Sequence, residues 1–159
     1  MSTRAIAYLT KKKIPFETVT YTHEVKGAEF ASQAIGFPLE KTVKTLVVSI
    51  SAASGKNIYV LALMPGHLQL SMKKLSKILS AKKGQMADAG VAEKLTGYLT
   101  GGISPFGTTQ KLAAVMDESI VSYDRIAINA GRRGMMLLMA PEDIIKAISV
   151  TVADISAEA

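Results

Sequence analysis

The chain has 159 residues, 48% of them apolar and none of them cysteine. That is enough apolar material for one core of ordinary domain size, and it excludes disulfides, a thiol nucleophile and cysteine-ligated metal. Nineteen Lys and Arg against thirteen Asp and Glu leave a formal charge of +6, which suits a polyanionic partner.

No apolar run approaches the ~20 residues of a membrane-spanning helix, and the N-terminus lacks the apolar stretch and cleavage site of a secretory signal. The expectation is a single soluble, cytoplasmic domain over residues 1–159, without membrane attachment. Ala5, Ile6 and Leu9 recur at helical spacing after Thr3, an N-cap candidate, and the pattern stops near Ile14-Pro15, where proline disfavours helix in the residue before it. Phe16, Val19 and Tyr21 in a Thr-rich stretch predict an extended strand. Residues 27–35 predict a second short helix, closed by Gly36 and Pro38.

Val43 to Ile50 and Ile58 to Met64 predict an antiparallel hairpin across Ser54-Gly55-Lys56-Asn57. Ser71 caps a helix with Met72, Leu75, Ile78 and Leu79 on its apolar face and lysines opposite. Asp88 caps a shorter one that ends at Gly97. Short strands follow at Tyr98–Thr100, Leu112–Met116, Arg125–Asn129 and Met135–Ala140. Pro141 opens a last helix with Glu142 and Asp143 in its first turn. The sum is an α+β domain with a mixed, largely antiparallel sheet surrounded by helices.

Three places carry chemistry. By the period of two, Lys44 shares a strand face with Leu46, Val48 and Ile50. A lysine there either snorkels to water at the strand end or holds a cation in a partly dry pocket, ready for a carbonyl, carboxylate or phosphate. The run Gly101-Gly102-Ile103-Ser104-Pro105-Phe106-Gly107 combines glycines that permit positive φ with a proline that sets the exit. It reads either as a tight turn or as a loop whose backbone N–H groups meet a developing oxyanion. Asn129-Ala130-Gly131-Arg132-Arg133-Gly134 is a polar turn without a phosphate-loop pattern. His23 and His67 have no metal-ligand spacing, and no Gly-x-Ser-x-Gly elbow is present.

Thr20-Tyr21-Thr22-His23, Lys41-Thr42-Val43-Lys44-Thr45-Leu46, Ala87-Asp88, Thr96-Gly97-Tyr98-Leu99, Gly101-Gly102-Ile103-Ser104-Pro105 and Gly131-Arg132-Arg133-Gly134, in this order, resemble the YbaK/ProX/EbsC family over almost the whole chain. These are free-standing relatives of the editing domain inserted in bacterial prolyl-tRNA synthetases. The resemblance implies that editing-domain fold and an aminoacyl-tRNA deacylase, a hydrolase or lyase acting on the aminoacyl ester. Mischarged tRNA is the implied partner, with prolyl-tRNA synthetase beside it and no cofactor or metal.

Lys44, Gly101 and Gly102 are the implied catalytic set. Tyr21, Phe30, Thr45, Ile103, Ser104, Pro105, Asn129 and Gly131 are the implied substrate-binding residues. Lys44-Thr45 resembles the branch that removes cysteine from tRNA(Pro), for which the implied nucleophile is the thiol of the bound cysteine itself; the alanine-specific branch tends to carry Asn after the lysine. The chain departs from the cysteine-type pattern at Asn129-Ala130, where Ser-Gly is usual, and at Met136, where some relatives carry an acid. Deacylation of Ala-tRNA(Pro) or another small mischarged amino acid by water is the alternative enzyme. A non-catalytic tRNA-binding module is the alternative from another class.

Overall fold

A computed structural model describes residues 3–22, 28–52 and 54–157, apart from the side chains of residues 29 and 30. The first helix, α1 (Arg4–Lys11), begins where Thr3 Oγ1 accepts a hydrogen bond from Ile6 N at 3.1 Å, and it buries Ala5 and Leu9. The chain then runs through β1 (Glu17–Thr20) and α2 (Ala28–Ile35), and Gly36 ends α2 at φ +67°. The central hairpin is β2 (Thr42–Ala52) and β3 (Asn57–Pro65), paired antiparallel from Val43 opposite Pro65 to Ser51 opposite Asn57. After β4 (Gln69–Leu70), Ser71 caps α3 (Met72–Ile78) by accepting from Lys74 N. Next come β5 (Ala81–Met86) and α4 (Ala89–Thr96), the latter capped by Asp88 and ended by Gly97 at φ +81°. The remaining elements are β6 (Ala113–Asp117), β7 (Ile126–Asn129), β8 (Met135–Met139), α5 (Pro141–Ala147), β9 (Val150–Ala153) and β10 (Ser156–Ala157).

Among the described residues, eight strands form one sheet in the order β1-β8-β7-β2-β3-β6-β9, with β5 on β2 off this path; β10 pairs separately with β4. Four contacts of the large sheet are antiparallel, and β2–β7, β3–β6 and β6–β9 are parallel. Both faces are covered, because alternate residues of each central strand enter different cores. On one face Val43, Leu63, Met116, Ile128 and Leu137 meet Ala5 and Leu9 of α1, Ile144 of α5 and Phe106. Val47, Leu61 and Ala114 extend that face to Ala92 of α4. On the other, Val48, Ile50, Val60, Ala62 and Val115 pack on Leu75 of α3, and Ala127 and Met136 on Ala31 of α2. Truncating fully buried Leu9, Leu63 or Leu137 to Ala costs about 2–5 kcal/mol.

The α+β, mixed-sheet expectation holds. The strand expected at Tyr98–Thr100 is absent: Gly101 takes φ +94° and Gly102 N donates back to Leu99 O at 2.9 Å, so the segment turns instead of extending. Conversely, β5 has the sequence Ala-Lys-Lys-Gly-Gln-Met, poor in the residues that favour strands. It is a strand because β2 offers it an edge, from Val48 opposite Met86 to Ser51 opposite Lys83.

Candidate active site

The site begins as a gap in the sheet. One edge of β2 pairs with β7 only at Thr42 and Val43, and with β5 only from Val48 onward. Ala87 N adds one bond, to Val47 O at 3.0 Å. Between them Lys44, Thr45 and Leu46 have no strand beside them on this edge among the described residues. Because backbone groups alternate in direction along a strand, the Thr45 peptide groups point the same way as those of Val47, into the gap.

A cavity of about 360 Å³ fills this space, within the range of small-molecule sites. It takes residues from both faces of the sheet: Tyr21, Ala28 and Ala31 on the side of Lys44, and Ala92, Thr100, Gly101 and Ile103 on the side of Thr45. Its wall is mostly apolar, including Val43, Leu46, Val47, Met86 and Met136. Lys44 is half-buried here, so its cation stands against a low-dielectric wall. The Thr45 hydroxyl is buried and has no hydrogen-bond partner among the described residues. An unsatisfied buried hydroxyl costs about 1–3 kcal/mol. Burial also raises the pKa of the Tyr21 phenol, against the opposing effect of a backbone hydrogen bond with Gly134.

Two loops close one end. In the turn Leu99–Gly102, the Thr100 N–H and hydroxyl both donate to the Glu93 carboxylate of α4, at 2.7 and 3.0 Å. The Thr100 carbonyl accepts from Arg133 Nη2 at 2.7 Å and Nε at 3.0 Å. The Gly101 carbonyl accepts from Asn129 Nδ2 at 3.2 Å. Asn129 Oδ1 in turn accepts from Gly131 N and Arg132 N, so this side chain brackets one loop against the other.

Glycine is required at two contacts. A Cβ on Gly102 would lie 2.8 Å from Arg132 Cα, and one on Gly131, at φ +102°, 2.8 Å from Tyr98 Cε1. Tyr98 is buried, donates its hydroxyl to Phe106 O, and has its phenol pushed up to about 12 by desolvation, the charge of Arg4 opposing.

The residues expected from sequence therefore separate into two groups. Tyr21, Lys44, Thr45, Gly101, Ile103 and Asn129 line the cavity together. Gly102, Ser104, Pro105 and Gly131 are not in its wall: the Gly102 amide is donated to Leu99 O, Ser104 and Pro105 are buried behind the loop with Ser104 Oγ accepting from Phe106 N, and the Gly131 amide is held by Asn129. The side chain of Phe30 lies outside the described residues, as does His23. Glu93, which holds the turn from α4, carried no signal in the sequence; Arg133 stood out only as part of a polar, basic turn, with nothing to pair it with Thr100. Val43 and Val47 were reachable, since strand alternation places them beside Thr45. Lys74 is held by Asp154 at 2.9 Å and by Ser156 O at 2.8 Å, whereas Lys82 and Lys83 are exposed on β5, which leads to Met86 at the cavity.

A family model described as the aminoacyl-tRNA editing domain matches residues 22–147. The chain is 30% identical to EbsC of Enterococcus faecalis, named as a candidate Cys-tRNA(Pro)/Cys-tRNA(Cys) deacylase, over 97% of this chain and 93% of that one. It is also 30% identical to the multifunctional Ser/Thr-tRNA deacylase ProXp-y of Escherichia coli K12, over 90% of this chain and 85% of that one. A crystal structure described as a candidate trans-editing enzyme for prolyl-tRNA synthetase superposes with a TM-score of 0.85 at 23% identity, covering 98% of this chain and 96% of that one. The chain belongs to the family of aminoacyl-tRNA editing domains, the aminoacyl-tRNA deacylases of translation quality control.

Proposed function

We propose that the protein clears cysteine from mischarged tRNA(Pro) in the cytoplasm, following prolyl-tRNA synthetase as the source of the error. The carrying observation is the cavity itself, small and mostly apolar, with Lys44, Thr45 and Gly101 together in its wall. A cavity of this size suits an amino acid with a short side chain. The aminoacyl ester lies along the gap in the sheet, with its carbonyl oxygen toward the Gly101 N–H and its side chain toward Thr45. Lys44 supplies positive charge near the carbonyl or the terminal phosphate. Orientation of this kind brings the reacting atoms within bonding reach and contributes much of the rate.

The chain has no cysteine, and the described residues in the cavity wall include no carboxylate or imidazole. In this reading the nucleophile is the substrate's own thiol, which is partly ionised near neutral pH. Its sulfur forms a bond to the ester carbonyl carbon, the bond from that carbon to the ribose oxygen breaks, and the thiol proton ends on the ribose hydroxyl. Cysteine thiolactone and free tRNA leave, and water then opens the thiolactone to cysteine.

A second reading has its own support: one relative at 30% identity bears a Ser/Thr-tRNA deacylase name. Single-turnover deacylation of tRNA(Pro) carrying cysteine, serine or alanine separates the two. Release of cysteine well ahead of serine and alanine, with a thiolactone captured by an added nucleophile, is the expected result. Serine released as fast as cysteine, with no cyclic product, would transfer the activity to hydroxyl amino acids and to water.

A further inference from the structure

The turn at the cavity mouth has a geometry that only one orientation of its central peptide satisfies. Gly102 N donates to Leu99 O, and Gly101, at the third position, has φ +94°, the signature of a type II turn. In that type the peptide between Thr100 and Gly101 is flipped relative to the commoner type I. The peptide is planar and trans, so its C=O and N–H point in opposite directions. Arg133 grips the C=O with two N–H groups. The Gly101 N–H consequently points away from Arg133, and Gly101 itself lines the cavity. It has no acceptor among the described residues, whereas the amides on either side of it, Thr100 and Gly102, are both committed.

We infer that Arg133 is a positioning residue: by holding the Thr100 carbonyl it locks the peptide in the orientation that offers the Gly101 N–H to the substrate's oxyanion. The inference rests on the deacylase reading for its chemistry and not for its geometry. Without the lock, a flip to type I would turn the Thr100 carbonyl oxygen toward the cavity, where it would repel the negative charge that the amide is there to receive. Loss of a single oxyanion donor lowers turnover by roughly 10²- to 10³-fold. Arg133 is exposed, so its replacement does not endanger the core.

The rival role for an exposed arginine beside such a cavity is a phosphate contact, and Arg133→Met and Arg133→Lys distinguish the two. The expected result for Arg133→Met is a single-turnover rate at saturating aminoacyl-tRNA lowered by about 10²-fold. Its affinity for uncharged tRNA and the salt dependence of that affinity stay at the wild-type values. Arg133→Lys, with one donor group in place of the fork, recovers part of the rate. In ¹⁵N-labelled protein without substrate, the Gly101 amide resonance shifts in Arg133→Met while resonances of the distant sheet do not. An unmoved Gly101 resonance overturns the inference, and so does a wild-type rate per bound complex with weakened, less salt-dependent tRNA binding. If the wild-type protein deacylates no charged tRNA, the functional reading fails, and the amide resonance still decides whether Arg133 sets the peptide.

Discussion

Gly102→Ala tests how closely the two loops at the cavity mouth must approach. The added methyl would sit 2.8 Å from Arg132 Cα and 2.9 Å from Arg132 C and Arg133 N, all backbone atoms, where ordinary contact begins at 3.4 Å. No side chain can rotate away, so the loops must part by about 0.6 Å, which stretches the 3.2 Å bond between Asn129 and Gly101 O to about 3.8 Å, beyond hydrogen-bond range. The Arg133 grip on Thr100 lengthens with it. Overpacking of this kind costs about 1–3 kcal/mol, and misplacing catalytic groups by a fraction of an ångström to an ångström costs up to about 10²-fold in rate. Urea unfolding and single-turnover deacylation read the two effects separately, with Gly55→Ala as control. Gly55 also has positive φ, but no atom lies within 4 Å of its would-be Cβ, so its replacement should strain a remote turn and leave turnover intact. A Gly102→Ala protein with wild-type turnover would refute the argument that contact between these loops sets the site.

Lys44→Ala should lower single-turnover deacylation by at least about 10²-fold, the scale of one lost electrostatic contact in the transition state. Thermal unfolding should show a fold nearly as stable as the wild type, since the half-buried side chain leaves no closed core cavity. For Tyr98, raised from 10.0 to about 12, the fold favours the neutral phenol. That stabilisation is complete below pH 10 and is lost as pH rises toward 12, because the unfolded chain ionises first. The loss is on the order of 1–3 kcal/mol. Tyr98→Phe should flatten the fall in unfolding free energy across that window, and an unchanged slope would disprove the assignment. Lys82→Gln combined with Lys83→Gln should reduce the salt dependence of tRNA binding by roughly 0.7 in log–log slope per lost phosphate contact. Lys74→Ala should leave that slope alone and lower stability only slightly, because its exposed ion pair with Asp154 is of the weak surface kind.

Local rules were sufficient wherever the deciding interaction is local. Thr3, Ser71 and Asp88 cap α1, α3 and α4 through contacts two or three residues away, and the hairpin of β2 and β3 follows from two apolar runs and a glycine turn. The strand face of Lys44 follows from alternation alone. The chain by itself also determined the family, because the ordered motifs from Tyr21 to Gly134 survive as residue types whatever their surroundings. Tertiary structure decided the rest. That β5 is a strand depends on an edge of β2 some 35 residues earlier in the chain. The cavity exists because β7 stops pairing at Val43 and β5 begins at Val48, a gap that no residue between them announces. Which glycine amide is left for a substrate was likewise settled by long-range contacts: Arg133 and Asn129 hold Thr100 and Gly101 from about thirty residues away. A peptide's orientation depends on what grips its carbonyl, and that partner is chosen by the packing of the two loops, not by the glycines themselves.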